Sequence, residues 1–559
     1  MRINNNSQYI STQVIQSLKK LGFHNIVISP GLRNAPLINA AVEDGLKIYS
    51  AIDERSAGYL ALGLSKGTKT PTILLCTSGT AALNYLPSTA EAFKSNIPLI
   101  IVTSDRPHYL IKANSNQTIE QLASFKPFTE KQLEISADTF DKEIKSISTF
   151  FNHLTSIQKP VQINIHLEEP LDNRKANISI EKEVSLDLTI NKKQVDWTNP
   201  LPQLEINEAL KKSKNPLLII GSGSYSKYEI DLIKKLKVPK TIDITSGIKS
   251  QVTLDDYLVP SFDHPEVRKF YDKNKVDLVI KLGQYVVTKH LTSLTTSANC
   301  IIFEENISNN QEVAINQKED RHIIDRKLII DQLIKYQDNS NNIDFLVHQS
   351  NLWYEVSQKK RALIDSESLS FPYISKYFLD SNVKNASIIL SNSTIVRSFD
   401  YYIPKNYYPM TSSYYYNRGV SGIEGFLSMT QGISESTKKP TILFIGDISF
   451  LYDLNSLYLI SKNKPIAIFL LNNNSGGIFN SIPIELDKDT LGLMTTKHQT
   501  DFQKLTEAFG IRHQFIKTKK EYEKAVKELN SLDHTTIFEC IIKDDVSSKL
   551  FKKLQTLSN

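Results

Sequence analysis

The sequence predicts an α/β protein of three doubly wound domains, each with a parallel β-sheet between layers of helices. A chain of 559 residues is too long for one hydrophobic core and corresponds to about three domains. Segments such as "PTILLCTSG" and "IPLIIVTSD" are almost entirely apolar and are bounded by turn residues, which is typical of strands covered on both faces. Segments with helical periodicity alternate with these strands, as crossover helices do in parallel sheets.

The first domain is predicted over residues 1–182. It opens with the helix "YISTQVIQSLKKLG", which ends at Gly22 and has four apolar residues on one face: Ile10, Val14, Leu18 and Leu21. "NIVISPG" and "LKIYSAID" then read as strands, and "ERSAGYLALGLSKG" reads as a helix.

Two further domains are predicted over residues 195–340 and 350–559. The polar stretch "LTINKKQVDWTNPLPQ" precedes the second, which begins near "NPLLIIGSGS", and a polar region from Glu304 to about Asn342 leads into the third. The third contains the strands "SIILSNST", "TILFIGD" and "KPIAIFLLNNN". Its layout around "ILFIGDISFLYDLN" resembles that around "ILLCTSGTAALNY" in the first domain, which fits either two related domains or chance, since any βαβ unit has this layout.

Composition narrows the class of protein. The formal charge of +6 comes from 66 basic and 60 acidic residues, with no basic run interleaved with aromatics, so nucleic acid is not an expected partner. Apolar runs fall short of the roughly 18 residues that span a bilayer, and the N-terminus lacks the apolar core of a signal peptide. We therefore expect a cytoplasmic protein without membrane insertion, whose three cysteines are buried thiols: Cys76, Cys300 and Cys540.

Two polar residues follow neighbouring strands of the third domain. Asp447 ends "TILFIGD" and Asn473 lies in "NNNSGG", 26 residues later, so both are expected at the carboxyl edge of the sheet, where ligands bind. Their oxygens suit Mg²⁺, and the amides of Ile448 and Ser449 are placed to bind phosphate. The alternative is an Asp N-cap next to an Asn-rich turn.

This pattern resembles the thiamine diphosphate-dependent enzymes. The resemblance implies pyrimidine-binding, central and diphosphate-binding domains, in that order. It implies that Asp447, Asn473 and the carbonyl of Ser475 bind Mg²⁺, with Mn²⁺ as an alternative, against the cofactor diphosphate. Glu54, in "AIDERSAGY", corresponds to the glutamate that bonds the cofactor's pyrimidine ring and promotes removal of the reactive proton.

Four further stretches resemble the 2-succinyl-5-enolpyruvyl-6-hydroxy-3-cyclohexene-1-carboxylate synthase family: "SPGLRNAPL", "TSDRP", "YNRGVSGIEG" and "NNNSGGIFNSIP". That resemblance implies decarboxylation of 2-oxoglutarate and addition of the succinyl unit to isochorismate, in menaquinone biosynthesis. It also implies a homodimer or a dimer of dimers.

The resemblance assigns roles to further residues. Both substrates are dicarboxylates, and bidentate arginines in strand-end loops are suited to bind them: Arg33, Arg106, Arg397 and Arg418. Other substrate contacts are implied for Asn116, Gln117, Lys289, Ile478 and Phe479, with Lys281 as an alternative basic residue. Ile423 is expected beneath the cofactor, and the expected catalytic residues are Glu54, Ser393, Arg397 and Arg418.

Three other functions remain open from the sequence. One is a thiamine-dependent enzyme acting on pyruvate, such as a relative of acetolactate synthase, although four arginines argue against a neutral substrate. Another is a protein that binds the cofactor without catalysis. The third is a nucleotide-binding oxidoreductase, suggested by "GSGSYS" (221–226), which has only two of the three glycines of a dinucleotide fingerprint.

Overall fold

Three parallel β-sheets organise the part of the chain that the structure describes. The structure is a computed structural model, and it describes residues 6–136, 139–171, 186–188, 208–209, 212–223, 225–251, 257–283, 285–304, 319–323, 329–331, 333–334, 344–381, 383–402, 412–481 and 486–556. Within these ranges every pairing between two strands of a sheet is parallel. The predicted fold class, α/β with three doubly wound sheets, is confirmed.

Six strands form the first sheet: β1 (Asn25–Ser29), β2 (Lys47–Ser50), β3 (Thr72–Cys76), β4 (Leu99–Asp105), β5 (Lys131–Ser136) and β6 (Val161–His166). Their order is β2-β1-β3-β4-β6-β5. The accompanying helices are α1 (Asn6–Lys20), α2 (Ala35–Glu43), α3 (Glu54–Thr68), α4 (Thr80–Asn84), α5 (Leu86–Lys94), α6 (His108–Lys112), α7 (Gln121–Phe125) and α8 (Ile144–His153). Strands β3 and β4 are buried along their whole length, as their apolar sequences predict.

The first helix illustrates how the sequence specifies this domain. Ile10, Val14 and Leu18 are at most 1% exposed, so the predicted apolar face of α1 does pack into the core. The chain then turns at Gly22, whose φ of 96° lies in the left-handed region that favours glycine.

Five strands form the second sheet: β7 (Pro216–Ile220), β8 (Lys240–Ile242), β9 (Leu278–Leu282), β10 (Asn299–Glu304) and β11 (Glu319–Ile323). Their order is β11-β10-β9-β7-β8, and the accompanying helices are α9 (Lys227–Lys235), α10 (Pro265–Lys273) and α11 (Lys289–Ser297). Strand β11, "EDRHI", lies in the polar region that leads into the third domain, where we predicted no strand from the sequence. Four of its five residues are polar, so its sequence gives no apolar signal. It is recognised as a strand by its backbone pairing with β10 at the edge of the sheet.

Six strands form the third sheet: β12 (Ser387–Leu390), β13 (Ser413–Tyr415), β14 (Thr441–Gly446), β15 (Ile466–Asn472), β16 (Arg512–Ile516) and β17 (Thr536–Ile541). Their order, β13-β12-β14-β15-β17-β16, is the same second-first-third-fourth-sixth-fifth arrangement as in the first sheet. The accompanying helices are α12 (Asp344–Ser366), α13 (Phe371–Asp380), α14 (Thr394–Tyr401), α15 (Phe426–Thr437), α16 (Asp447–Tyr452), α17 (Lys488–Thr495), α18 (Phe502–Ala508), α19 (Lys519–Glu528) and α20 (Asp544–Thr556). The similar layout of the stretches "ILLCTSGTAALNY" and "ILFIGDISFLYDLN" therefore corresponds to a strand order that the first and third sheets share.

Packing groups the chain into two compact units. The first contains residues 1–195, 417–438 and 453–461, and the second contains residues 196–416, 439–452 and 462–559. The predicted domain boundaries stay a prediction, and those at 182, 195 and 340 lie outside the described residues. None of the helices in the described ranges is both long enough and apolar enough to cross a membrane. The three cysteines are buried thiols, as predicted.

Within the first unit, α3 and α15 touch through glycines. A Cβ on Gly63 would lie 2.3 Å from the carbonyl oxygen of Met429, and a Cβ on Gly432 would lie 2.3 Å from that of Leu60. Real Cβ atoms do not approach a backbone oxygen so closely, so the two helix backbones meet only because both positions lack a side chain.

We predict that Gly63→Ala lowers the free energy of unfolding by about 1–3 kcal/mol, because the added methyl pushes α3 away from α15. Alanine has the higher helix propensity, so local helix stability alone would give the opposite sign. Urea denaturation measures the change.

Gly492→Ala is the matched control, because Gly492 is also helical and a Cβ there would meet no atom within 4 Å. It should leave stability unchanged or raise it by up to about 1 kcal/mol. Equal effects of the two substitutions would contradict the close approach of α3 and α15.

Candidate active site

The carboxyl edge of the third sheet brings Asp447 and the turn after β15 together. Strands β14 and β15 are paired neighbours. The Asp447 carboxylate accepts main-chain hydrogen bonds from Ile448 at 2.8 Å and from Asn473 and Ser475 at 3.1 Å each. The amide of Ile448, predicted to bind phosphate, thus donates to Asp447, while Ser449 is buried in the first turn of α16. The structure places the three predicted metal ligands side by side; their metal-binding role stays a prediction.

Side chains in this turn fix the orientation of Asn473. Its Nδ2 donates to Oγ of Ser475 at 3.0 Å, and a Cβ on Gly477 would lie only 2.6 Å from that nitrogen. The carbonyl oxygen of Ser475 accepts from the amide of Gly477 at 2.9 Å. A side chain at 477 would therefore displace the Asn473 side chain from its present position.

These residues fit Mg²⁺ by their chemistry. Asp447 is 2% exposed, and burial raises the pKa of its carboxyl group, although the hydrogen bond from Ile448 opposes that rise. A nearby cation would stabilise the buried carboxylate. The predicted donors of Asp447, Asn473 and Ser475 are all oxygen atoms, which Mg²⁺ prefers.

A second group of predicted residues follows β12 in the same unit. Ser393 has a φ of 68°, which a non-glycine residue rarely adopts and which often marks a functional position. Arg397, one turn into α14, donates from Nη1 to the carbonyl oxygen of Ser393 at 2.6 Å. Ile478 and Phe479 lie half-buried in the short 3₁₀ turn Gly477–Asn480.

The second sheet carries the remaining predicted basic residues. Lys289 is exposed at the first position of α11, and Lys281 is half-buried in β9. The glycine-rich stretch after β7 has a packing role: the hydroxyl of Tyr225 donates to the carbonyl oxygen of Gly221 at 3.0 Å, and a Cβ on Gly221 would lie 2.8 Å from the carbonyl oxygen of Tyr285.

The carboxyl edge of the first sheet holds Arg106. This residue follows β4 and donates from Nη1 to Oγ of Ser78 at 2.5 Å and to the carbonyl oxygen of Gln117 at 3.1 Å. Its Nη2 lies 3.4 Å from Oε1 of Gln117. Two residues predicted to bind substrate are therefore in contact, and Asn116 is exposed beside them.

Arg33, after β1, lies at the same edge. Its Nη1 donates to the carbonyl oxygen of Leu167 at 2.9 Å, and its guanidinium lies 4.0 Å from Glu169. Burial lowers the pKa of Arg33, and the positive charge of Arg106 lowers it further. Two guanidinium groups that repel each other form a favourable site for an anion.

Glu54 is the first residue of α3. The preceding Asp53 caps this helix by accepting from the amide of Arg55 at 2.9 Å. Glu54 is half-buried. Its charge adds to the effect of burial in raising the pKa of Cys76, the last residue of β3, and of Tyr85.

The segment that carries Arg418 and Ile423 belongs to the first unit. Ile423 is 37% exposed, so it is not an ordinary core residue. Nearby, the hydroxyl of Tyr59 donates to Glu424 at 2.9 Å, and a Cβ on Gly425 would collide with the ring of Tyr59. This segment is therefore packed closely on α3.

Comparisons with known proteins identify both ends of the chain. Residues 9–124 match the family model "Thiamine pyrophosphate enzyme, N-terminal TPP binding domain", and residues 401–540 match the corresponding C-terminal TPP binding domain. Thiamine pyrophosphate is a synonym of thiamine diphosphate.

Three similar proteins carry the name 2-succinyl-5-enolpyruvyl-6-hydroxy-3-cyclohexene-1-carboxylate synthase. The protein from Listeria innocua is 30% identical over 505 residues, which cover 84% of this chain and 83% of the relative. The chain belongs to this synthase family. Relatives from Syntrophus aciditrophicus and Trichodesmium erythraeum are 29% and 28% identical, covering 98% and 93% of both chains respectively. The predicted family is confirmed: the protein is a thiamine diphosphate-dependent enzyme.

Two polar residues of this synthase were missed in the sequence. Glu91 in α5 is 1% exposed, and its carboxylate accepts from the amides of Gly419 and Val420 at 2.9 and 2.8 Å. It thereby fixes the backbone directly after Arg418. The two partners are 328 residues apart along the chain, so no local pattern could reveal this contact.

The other missed residue is His498, which we had not connected with any motif. The amide of Thr500 lies 3.3 Å from Nδ1 of His498, which must accept, so in the neutral ring Nε2 carries the proton. That nitrogen lies 3.4 Å from the Asp447 carboxylate. An open cleft of about 680 Å³ adjoins His498 and Asn473, with Lys497 and Lys543 among its lining residues.

We predict that Glu91→Gln lowers the free energy of unfolding by about 1–3 kcal/mol, because one of two buried main-chain amides would face a donor instead of an acceptor. Urea denaturation measures this, and Glu43→Gln on the exposed side of α2 serves as the control. If Glu91→Gln lowered the free energy of unfolding no more than Glu43→Gln does, the structural role of Glu91 would be contradicted.

Proposed function

We propose that this enzyme decarboxylates 2-oxoglutarate and adds the resulting succinyl unit to isochorismate, giving 2-succinyl-5-enolpyruvyl-6-hydroxy-3-cyclohexene-1-carboxylate for menaquinone biosynthesis. The observation that carries the proposal is the pair Arg33 and Arg106, whose like charges lie close together at the edge of the first sheet. A dicarboxylate substrate would neutralise them, whereas pyruvate brings only one carboxylate.

Thiamine diphosphate, when bound, supplies the electron sink for decarboxylation and carbon–carbon bond formation. We assign its Mg²⁺ to Asp447, Asn473 and the carbonyl of Ser475. The amide protons of Asn473 and Ser475 hold the Asp447 carboxylate in one orientation, and Nε2 of His498 lies 3.4 Å from it. Ser449 is assigned to the diphosphate group.

Glu54 is assigned to proton control at the pyrimidine ring. Its half-buried position near the end of β3 reduces the access of water to the carboxyl group. Ile423 is assigned to the apolar support of the cofactor, and its exposure leaves it accessible to a ligand.

The arginine contacts support the proposed substrate-binding roles. Arg106 donates to the carbonyl oxygen and to Oε1 of Gln117, and Asn116 precedes Gln117 on the same turn. Arg397, Arg418 and Lys289 are assigned to the other carboxylates, and Ser393 to the reacting centre. Ile478 and Phe479 are assigned to the apolar wall that excludes water from the reaction. We also propose that the enzyme works as a homodimer or a dimer of dimers.

The test is an assay with thiamine diphosphate, Mg²⁺, 2-oxoglutarate and isochorismate, in which isochorismate absorbance is followed. We expect isochorismate to disappear only when 2-oxoglutarate is present. Consumption of pyruvate in place of 2-oxoglutarate would overturn the proposal and favour an enzyme like acetolactate synthase.

We predict that Glu54→Gln reduces turnover by about 10²–10⁴-fold, because the substitution removes an acid–base group and retains its size. Affinity for thiamine diphosphate, measured by calorimetry, should change only a few-fold. Glu43→Gln is a suitable control, since Glu43 is exposed on α2. Unchanged turnover of Glu54→Gln would exclude the assigned role.

A further inference from the structure

Three side chains that the proposed reaction does not use lie together beside the first sheet: His108, Glu134 and His166. One ligand atom of each lies within 4.8 Å of the other two, and this is the one such group of three or more found in the described part of the chain. Nε2 of His166 is 2.8 Å from Oε1 of Glu134, and Nε2 of His108 is 4.0 Å from the same oxygen.

The topology brings these residues together from three elements. Strands β5 and β6 are parallel neighbours with Glu134 opposite Asn164, so His166, two residues further along β6, has its side chain on the same face. His108 begins α6, just after β4, the neighbour of β6 on its other side. The two imidazole rings are 4.0 Å apart between centroids.

The hydrogen bonds of His166 define its tautomer. Its Nδ1 is 2.5 Å from the carbonyl oxygen of Arg106, which can only accept, so Nδ1 carries a proton. The lone pair of Nε2 in the neutral ring then points at a carboxylate oxygen 2.8 Å away. Two acceptors at that distance require a cation between them, either a proton on Nε2 or a metal ion.

The second histidine favours the metal ion. A proton on Nε2 of His166 would satisfy Glu134 alone, whereas a divalent ion would also engage Nε2 of His108, which lies 4.0 Å from the same carboxylate oxygen. Two neutral imidazoles and one carboxylate can all bind a single divalent ion. A histidine whose Nδ1 donates to a main-chain carbonyl is also the usual arrangement for a metal ligand that binds through Nε2.

We propose that Nε2 of His108, a carboxylate oxygen of Glu134 and Nε2 of His166 bind a divalent transition metal ion of the Zn²⁺ type, with a fourth position open to water. Two nitrogen donors and one carboxylate suit Zn²⁺ or Co²⁺ better than Mg²⁺, which prefers oxygen.

Small movements would complete the site. Tetrahedral ligands around Zn²⁺ stand about 3.3 Å apart, so His108 and Glu134 must rotate slightly. Their side chains are 56% and 43% exposed, while His166 is 3% exposed and held by Arg106. The bound ion would tie α6 to β5 and β6 next to the backbone of Arg106.

The test is a titration of the full-length enzyme with Co²⁺, followed by the visible ligand-field absorption of the ion. Thiamine diphosphate and excess Mg²⁺ are kept present to occupy the cofactor site. We expect the wild type to bind one equivalent per chain, displaced by Zn²⁺, and we expect Zn²⁺ to raise the melting temperature. His108→Ala and Glu134→Gln should each weaken Co²⁺ binding by about tenfold or more.

His153→Ala is the matched control, because His153 also contacts a glutamate, Glu130 at 2.9 Å, but belongs to no group of three ligand residues in the described ranges. It should bind Co²⁺ like the wild type. Both His108 and Glu134 are exposed, so their variants should fold, which their melting temperatures without Zn²⁺ will check. Failure of the wild type to bind Co²⁺, or equal binding by all four proteins, would overturn the proposal.

Discussion

The burial of one carboxylate, that of Asp447, imposes the main constraint on the third sheet. The charge lies at the end of β14, is 2% exposed and is surrounded by amide donors from its own helix and from the turn after β15. Such a group is costly unless a cation or several donors stabilise it. The main-chain amides of the Asn473–Ser475 turn contribute to that stabilisation, and Nε2 of His498 lies 3.4 Å from the carboxylate.

The first unit shows the opposite charge problem. Arg33 and Arg106 lie close enough for one to lower the pKa of the other. Arg33 donates to a main-chain carbonyl oxygen and also lies 4.0 Å from the Glu169 carboxylate. The guanidinium of Arg106 is instead held by neutral acceptors on Ser78 and Gln117. Neutral partners position the Arg106 guanidinium without neutralising it, so its charge remains available to an anionic ligand. Glu91 fixes the backbone directly after Arg418, because its carboxylate accepts hydrogen bonds from two main-chain amides there.

The sequence predicted what is encoded locally. Apolar runs identified β3, β4, β14 and β15, and a strand-end position placed Asp447 beside Asn473. The sequence did not predict contacts between distant segments. Glu91 and His498 occur in no motif, and the polar strand β11 is recognised only by its pairing with β10. The same limit applies to His108, Glu134 and His166, which β-sheet register brings together. The assigned roles of the site residues stay predictions.

Binding of thiamine diphosphate measured by calorimetry, with Mg²⁺ and with EDTA, tests the central claim that Asp447 anchors the cofactor through a metal ion. We predict that the wild type binds with Mg²⁺, and that EDTA or Asp447→Asn weakens binding by about tenfold or more. Asp272→Asn, a change of an exposed carboxylate on α10, should bind like the wild type. Equal affinity of wild type and Asp447→Asn, with the same dependence on Mg²⁺, would contradict the account.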